Sequence, residues 1–310
     1  MLHLRVICPA ARTDRVLEVL AAEPASTNVS VLRGAAVAPA GDLIEADVSR
    51  AIADELIVAL RALDLVELGA ITLDATGTVL SAAASRAERA APGRADESVV
   101  WEQIRNQVHR ASELTPTFFA FLTIAFLLSA VGVTTASPLT LVGAMVVGPE
   151  FQPLAALSVG MVRRDRQLVR RSLGTLALSF PAAMLVTGAA TLLWVRFGWI
   201  GVADVENARN FDFIYEVGPF SLVVALLAGA AGMLALVTST SAVLVGVFIS
   251  VTTVPAAGLA VVAAIAGKWH VAGSSIAQLA INLAGIVLAG VAVLLLRPRA
   301  TRRWTRTANA

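Results

Sequence analysis

Glu150 is the residue whose setting asks most for an explanation. It lies in Val142-Gly143-Ala144-Met145-Val146-Val147-Gly148-Pro149-Glu150-Phe151-Gln152-Pro153-Leu154, inside an apolar run from about Ser137 to Met161. An ionised carboxylate at the centre of a bilayer costs several kcal/mol, and such groups face a cavity or a partner. Gly148, Pro149 and Pro153 surround it, and a continuous helix there loses backbone hydrogen bonds and meets proline rings. Broken backbone survives in hydrocarbon only where protein or a water-filled cavity covers it. The stretch therefore reads as a discontinuous helix inside a bundle. Pro149 suits the first position of the second half-helix. Glu150 then falls in the first turn, where the helix dipole favours negative charge. One reading has Glu150 and Gln152 cap broken helix ends. The other has Glu150 bind a proton or cation, helped by Gln152 and by carbonyls freed around Gly148, Pro149 and Pro153. Capping alone is served as well by Asn or Ser, which favours the binding role.

A second interruption lies at Ser250-Val251-Thr252-Thr253-Val254-Pro255. Ser250, Thr252 and Thr253 face Glu150 if the two breaks meet. Hydroxyls in apolar helices also bond their own preceding turn, the plainer reading. Asn282, in the last apolar run, suits a polar contact between helices. No catalytic set is present: the three histidines are scattered, and there is no His-Glu-x-x-His motif, no Gly-x-Ser-x-Gly elbow and no Walker sequence. The expectation is no enzyme, no metal and no cofactor.

These residues need apolar elements to hold them. The chain is 57% hydrophobic and 15% charged, against about 25% charged for a soluble domain, and its mean hydropathy is +0.78. This is the composition of an integral membrane protein. Six spans are predicted: Phe118–Ala136, Ser137–Met161, Leu173–Val195, Pro219–Val237, Ser241–Ala266 and Val271–Leu296. Arg163, Arg164, Arg166, Arg170 and Arg171 follow the second, and Arg297, Arg299, Arg302, Arg303 and Arg306 follow the last. The loop 197–217 carries Asp204, Glu206, Asp212 and Glu216. Basic residues mark the cytoplasmic side, so both termini are expected there, in a bacterial inner (plasma) membrane. Contact of these arginines with anionic lipid is the lesser reading, and nucleic acid is not an expected partner. Three spans per half give inverted topology. Interrupted segments at matching places in two halves point to a transporter's central site.

Residues 1–80 alternate as strands around two helical stripes. Leu2, Leu4 and Val6 open a strand; Thr13 or Asp14 caps the first helix; Val29 and Val31 mark a second strand. Ile44, Ala46 and Val48 follow a Pro39-Ala40-Gly41-Asp42 turn. Ser49 caps the second helix, and Ile71 and Leu73 make a fourth strand. This β-α-β-β-α-β order predicts a small α+β ferredoxin-like domain on the cytoplasmic side. His3 reads as an ordinary strand residue. Residues 81–97 read as a linker, and 98–114 as an amphipathic helix, either at the membrane surface or solvated as a connector, so 81–116 joins the domain to the membrane region 117–296. Residues 297–310 form a basic cytoplasmic tail.

The run Gly143-Ala144-Met145-Val146-Val147-Gly148-Pro149, then Pro153, the arginine-rich loop and Arg171-Ser172-Leu173, resembles a family of prokaryotic hydrophobic proteins. It is known only as domain of unknown function 389 (DUF389). Val245-Gly246-Val247 with Pro255, and Asn282, resemble its second half. Glu150-Phe151 stands where that family is commonly apolar, and a single Pro255 stands where a proline pair is common. The resemblance implies a fold grouping and no activity.

Two functions compete. One is an inverted-repeat transporter or channel for a small solute or ion, coupled to a proton or cation through Glu150 and expected to assemble with copies of itself. The other is a membrane-anchored sensor or scaffold whose cytoplasmic domain binds a ligand or partner. A solvent-reachable cavity at Glu150 favours the first, and a sealed bundle favours the second.

Overall fold

A computed structural model of the chain describes residues 1–75, 81–91, 104, 108–109, 112–199, 218–238 and 252–296. The molecule is mostly helical, with a small antiparallel sheet near its N-terminus. It divides into an N-terminal unit, ending before residue 104, and a helical unit from there on.

In the N-terminal unit the alternation of Leu2, Leu4 and Val6 becomes β1 (Leu2–Cys8), with these side chains buried. A short 3-10 turn leads to α1 (Thr13–Ala21), then β2 (Ser26–Val37), β3 (Ala40–Val48), α2 (Ala53–Arg61), the single turn α3 (Leu65–Leu68) and β4 (Ala70–Ala75). The sheet order is β2-β3-β1-β4, antiparallel throughout. Leu4 pairs with Ala46 and Leu73, and Val6 with Ile44 and Ile71, so the apolar positions of three strands share one face. Val16 and Leu20 of α1 and Leu56 and Leu60 of α2 bury against that face. Removing a side chain of this size from water contributes about 1.5–3 kcal/mol, which is why the period-2 stripe dictates the register.

Three local expectations change. The hairpin turn is confined to Ala38-Pro39, whose peptide bond is cis. Ala40, Gly41 and Asp42 already belong to β3 because they pair with Val37, Ala36 and Cys8 across the ladders. Thr13 does not cap α1; its buried hydroxyl donates to Asp42 Oδ2 at 2.6 Å. The stretch read as a linker holds α4 (Ala82–Ala90), whose start is capped by Ser81 Oγ accepting from the N–H groups of Ala83 and Ala84. Alanine is the strongest helix former, and α4 packs against β2 with Ala84 and Ala87 buried. Ser49 does cap the turn that enters α2, accepting from Ala51 N–H. The amphipathic helix expected over 98–114 lies largely outside the described residues.

The helical unit contains α5 (Pro116–Thr134), α6 (Pro138–Val147), α7 (Phe151–Arg163), α8 (Arg166–Arg196), α9 (Pro219–Thr238), α10 (Thr253–Ile265) and α11 (Trp269–Leu296). Thr115 and Ser137 cap α5 and α6, each followed by proline at the first helical position, where no N–H is needed. Four of these helices are long and apolar enough to cross a membrane, and five spans result if α6 and α7 count as one bent span. These apolar helices mark a membrane protein. The break between α6 and α7 was expected, and the two halves meet at 48°. The fifth predicted span is described only from Thr252 onward, as the shorter apolar helix α10. The acidic loop 200–217, residues 239–251 and the tail 297–310 lie outside the described residues.

α10 is apolar all round and buried from Thr253 to Ala263, as a helix enclosed by protein must be. It packs against α5, α6, α8 and α11, while α7 packs against α8 and α11. Small residues permit these crossings. A Cβ on Gly258 would overlap Ser129 Oγ of α5, and one on Gly229 of α9 would sit 2.6 Å from the Ile286 Cα of α11. Phe126 of α5 and Phe180 of α8 meet edge to face at 5.4 Å.

Candidate functional site

α6 ends because Pro149 cannot donate to the next turn. Gly148 N–H closes α6 on the Ala144 carbonyl at 3.2 Å, and Gln152 N–H reaches the Pro149 carbonyl at 3.3 Å. α7 starts at Phe151, so Pro149 and Glu150 occupy the break itself rather than the first turn. Pro153 is then the third helical residue. Pro255 holds the same position in α10, which starts at Thr253. The first N–H groups of a helix have no intrahelical acceptor, so a proline there costs no bond.

Glu150 stands at the N-cap position of α7 but makes no side-chain capping bond. Its carboxylate leaves its own helix and accepts from Thr253 Oγ1 of α10 through Oε1 at 2.6 Å. Both residues are buried, Glu150 at 6% exposure and Thr253 at 0%. Thr252, next in chain, accepts from Asn282 Nδ2 of α11 at 3.0 Å, and Asn282 Oδ1 accepts from Gln278 Nε2 at 3.2 Å. Two polar chains, Glu150–Thr253 and Thr252–Asn282–Gln278, therefore meet at the start of α10. Each ends on an acceptor oxygen: Glu150 Oε2 and Gln278 Oε1 are buried and have no hydrogen-bond partner among the described residues. Gly148 makes the close approach feasible. A Cβ there would overlap Glu150 Oε2 and lie 2.7 Å from Val254 Cγ2 of α10.

Of the residues singled out by sequence, the structure brings Gly148, Pro149, Glu150, Thr252, Thr253 and Asn282 together. Pro153 and Pro255 are buried one turn further along their helices. Gln152 is not part of the cluster; its side chain is exposed, since it follows Glu150 by two residues on the helix surface. Ser250 lies outside the described residues. Gln278 is the member that sequence reasoning missed. Its signal is present: Ser275, Gln278 and Asn282 recur at i, i+3 and i+7 in an otherwise apolar helix, and all three are buried.

An acid of this kind is surrounded by two helix N-termini, those of α7 and α10, whose partial positive charge favours a carboxylate. One hydroxyl donor and these dipoles fall short of the several donors that a buried ionised carboxylate calls for. Glu150 Oε2 and Gln278 Oε1, without a hydrogen-bond partner among the described residues, are acceptor atoms whose chemistry suits a proton or a small cation. Among the described residues no group of three or more His, Cys, Asp or Glu side chains is placed to hold a metal ion.

A second buried polar group belongs to the N-terminal unit. Asp42 accepts from Thr13 Oγ1 and from Gly34 N–H at 2.8 Å, and the Cys8 thiol lies 3.6 Å from the Thr13 hydroxyl. The bond from Thr13 and then that from Gly34 hold the Asp42 carboxyl below the usual carboxylate range. Burial pushes the Cys8 thiol above its ordinary value. This trio ties β3 to α1 and reads as a structural lock. His3 is half-exposed beside Asp47 at 3.1 Å, an ordinary strand residue.

Comparison with known proteins adds grouping without activity. No solved structure matches the chain. The Uncharacterized protein MJ0678 of Methanocaldococcus jannaschii is 25% identical over 199 residues, covering 62% of this chain. The matched region spans 59% of that relative's length. A family model matches residues 145–288, a stretch that runs from the end of α6 into α11 and takes in Glu150, Thr252, Thr253, Gln278 and Asn282. Over these residues the chain is similar to the family described as Domain of unknown function (DUF389), the family that its motifs resemble.

Proposed function

We propose that this protein is a transporter or channel of the bacterial inner (plasma) membrane, in which Glu150 exchanges a proton or small cation midway across the bilayer. The observation that carries the reading is the buried Glu150 carboxylate, held by a hydroxyl from a distant part of the chain through one oxygen and, among the described residues, without a partner at the other. Acids buried at such depth serve ion pathways and proton relays.

The arrangement of the helices supports six spans built as 3+3 inverted repeats. α7 and α10 are both 13 residues long, carry proline at the third position and are followed by a tight turn into a long helix. The turns close alike: Asp165 N–H returns to the Gly160 carbonyl at 2.9 Å, and Lys268 N–H to that of Ala263 at 2.8 Å. Each of α7 and α10 packs on both long helices, α8 and α11. In this reading the arginine-rich turn faces the cytoplasm with both termini, and copies of the chain assemble together.

Glu150 is closed off in this conformation, so the reading takes it as an occluded one. Taken alone, that closure favours the competing reading, a membrane-anchored scaffold whose N-terminal unit binds a ligand or partner. Flux separates them. The purified chain is reconstituted into liposomes with a potassium gradient and valinomycin, and proton entry is followed with a trapped pH dye and sodium entry with radioactive sodium. The expected result is flux of one of these ions by the wild type and none above empty liposomes for Glu150→Gln, with the variant still melting cooperatively in detergent. Equal flux in wild type and variant removes Glu150 from the mechanism. No flux in either favours the scaffold.

A further inference from the structure

The arginine-rich turn has a shape as well as a charge. α7 ends at Arg163, Arg164 takes the left-handed conformation with φ of 58°, and α8 begins at Arg166. Gly160 lets the two helices touch: a Cβ there would lie 3.0 Å from Val169 Cγ2. The helix ends border an open cleft of about 450 Å³ lined by Met161, Arg164, Arg166, Val169, Arg170 and Leu173, with Gly160 at its base. Three arginine side chains therefore line one concavity together with three apolar side chains.

No described acid neutralises them. Arg164, Arg166 and Arg170 are exposed, and none has an ion-pair partner among the described residues. Asp165 is the one acid between Arg163 and Arg171, and it is engaged elsewhere. Its Oδ1 accepts from the N–H groups of Gln167 and Leu168, and its Oδ2 faces His109 Nε2 at 3.9 Å. Arg166 and Arg170 are four residues apart on α8, a like-charge pair that opposes the helix. Arg166 also occupies the first helical position, where the dipole disfavours a cation. An anion in the cleft relieves both.

We propose that this cleft binds the phosphate of an anionic phospholipid, with Arg164, Arg166 and Arg170 on the phosphate and Met161, Val169 and Leu173 along the start of its chains. The apolar wall selects lipid over free phosphate. Met161 and Leu173 are 48% and 49% exposed, at the end of two apolar helices, where hydrocarbon and headgroup meet. Guanidinium forks match phosphate oxygens in pairs. Retention of topology explains basic residues in this turn, but it does not require them to converge on a cleft. The inference depends on the helices being in a membrane and stands whether or not the protein transports anything.

The test is native mass spectrometry of the full chain in detergent, titrated with dioleoyl phosphatidylglycerol and with dioleoyl phosphatidylcholine. The wild type is expected to retain phosphatidylglycerol selectively. The double change Arg166→Gln with Arg170→Gln should weaken retention roughly thirtyfold, about fivefold for each guanidinium lost near an anionic group. Arg163→Gln with Arg171→Gln removes equal charge outside the cleft and should leave retention unchanged. Leu173→Asn should weaken it with every arginine in place, and excess sodium phosphate should not release the lipid. Arg166→Lys with Arg170→Lys keeps the charge without the paired fork and should retain part of the binding, more than the glutamine pair, even if that pair fails to fold. Full retention by the glutamine pair, equal loss in the two glutamine pairs, or complete loss in the lysine pair with a cooperative melt overturns the proposal. Release by sodium phosphate, with Leu173→Asn silent, overturns the lipid assignment in favour of a free anion.

Discussion

At the scale of single residues, polar atoms in apolar surroundings decide the account. Glu150, Thr252, Thr253 and Asn282 were legible in the sequence because each interrupts a run that is otherwise hydrocarbon. Their pairing was not, since the bonds Glu150–Thr253 and Asn282–Thr252 join positions 103 and 30 residues apart. Gln152 misled because its neighbourhood in sequence is not its neighbourhood in space. In the N-terminal unit, Asp42 makes a prediction about acid. Its carboxyl is held below the ordinary value of about 3.9 by Thr13 and Gly34. A depressed folded-state value contributes stability above the unfolded value, and that contribution is lost as pH falls through the folded one. Cys8 is buried and is the chain's one cysteine, so its reaction with dithiodipyridine reports opening of this unit. The wild type should show a rise in reactivity as pH drops below about 4. Asp42→Asn should react faster at neutral pH and lack that acid-dependent rise. Identical profiles would remove Asp42 from the stability of the unit.

At the scale of elements, the sheet was readable because period-2 stripes in β1, β3 and β4 admit one register. α4 was missed because an Ala-Ala-Ala-Ser run has no stripe, and only its packing against β2 shows why it is ordered. The break between α6 and α7 was readable from its prolines. The starting points of α7 and α10 were not, because a proline serves equally at the first or third position of a helix. How helices cross was also hidden, for it rests on glycines that look alike in sequence. Gly258 and Gly143 separate the cases: a Cβ at 258 overlaps Ser129, whereas one at 143 meets nothing within 4 Å. Gly258→Leu should lower stability in detergent by about 1–3 kcal/mol, the usual cost of overpacking, and Gly143→Ala should leave the melting temperature unchanged. Equal effects would mean that the α5–α10 crossing is not where the bundle is held.

At the scale of the molecule, a small antiparallel sheet domain precedes a bundle whose most enclosed helix, α10, is also the one that meets the acid. Composition announced the membrane region, which the apolar helices bear out. Composition could not announce closure: the carboxylate is sealed, so any exchange with the bath requires the helices around the break to move. Carbodiimide labelling reads that exchange directly, because dicyclohexylcarbodiimide enters lipid and modifies protonated carboxyl groups. Reconstituted wild type and Glu150→Gln are treated across a range of bath pH, and the adduct on residue 150 is located by peptide mass. The expected result is an adduct at Glu150 that diminishes as the bath is made alkaline and is absent from Glu150→Gln. An adduct of constant yield at every pH, or none at position 150, would contradict it and leave the acid as a fixed part of a closed bundle.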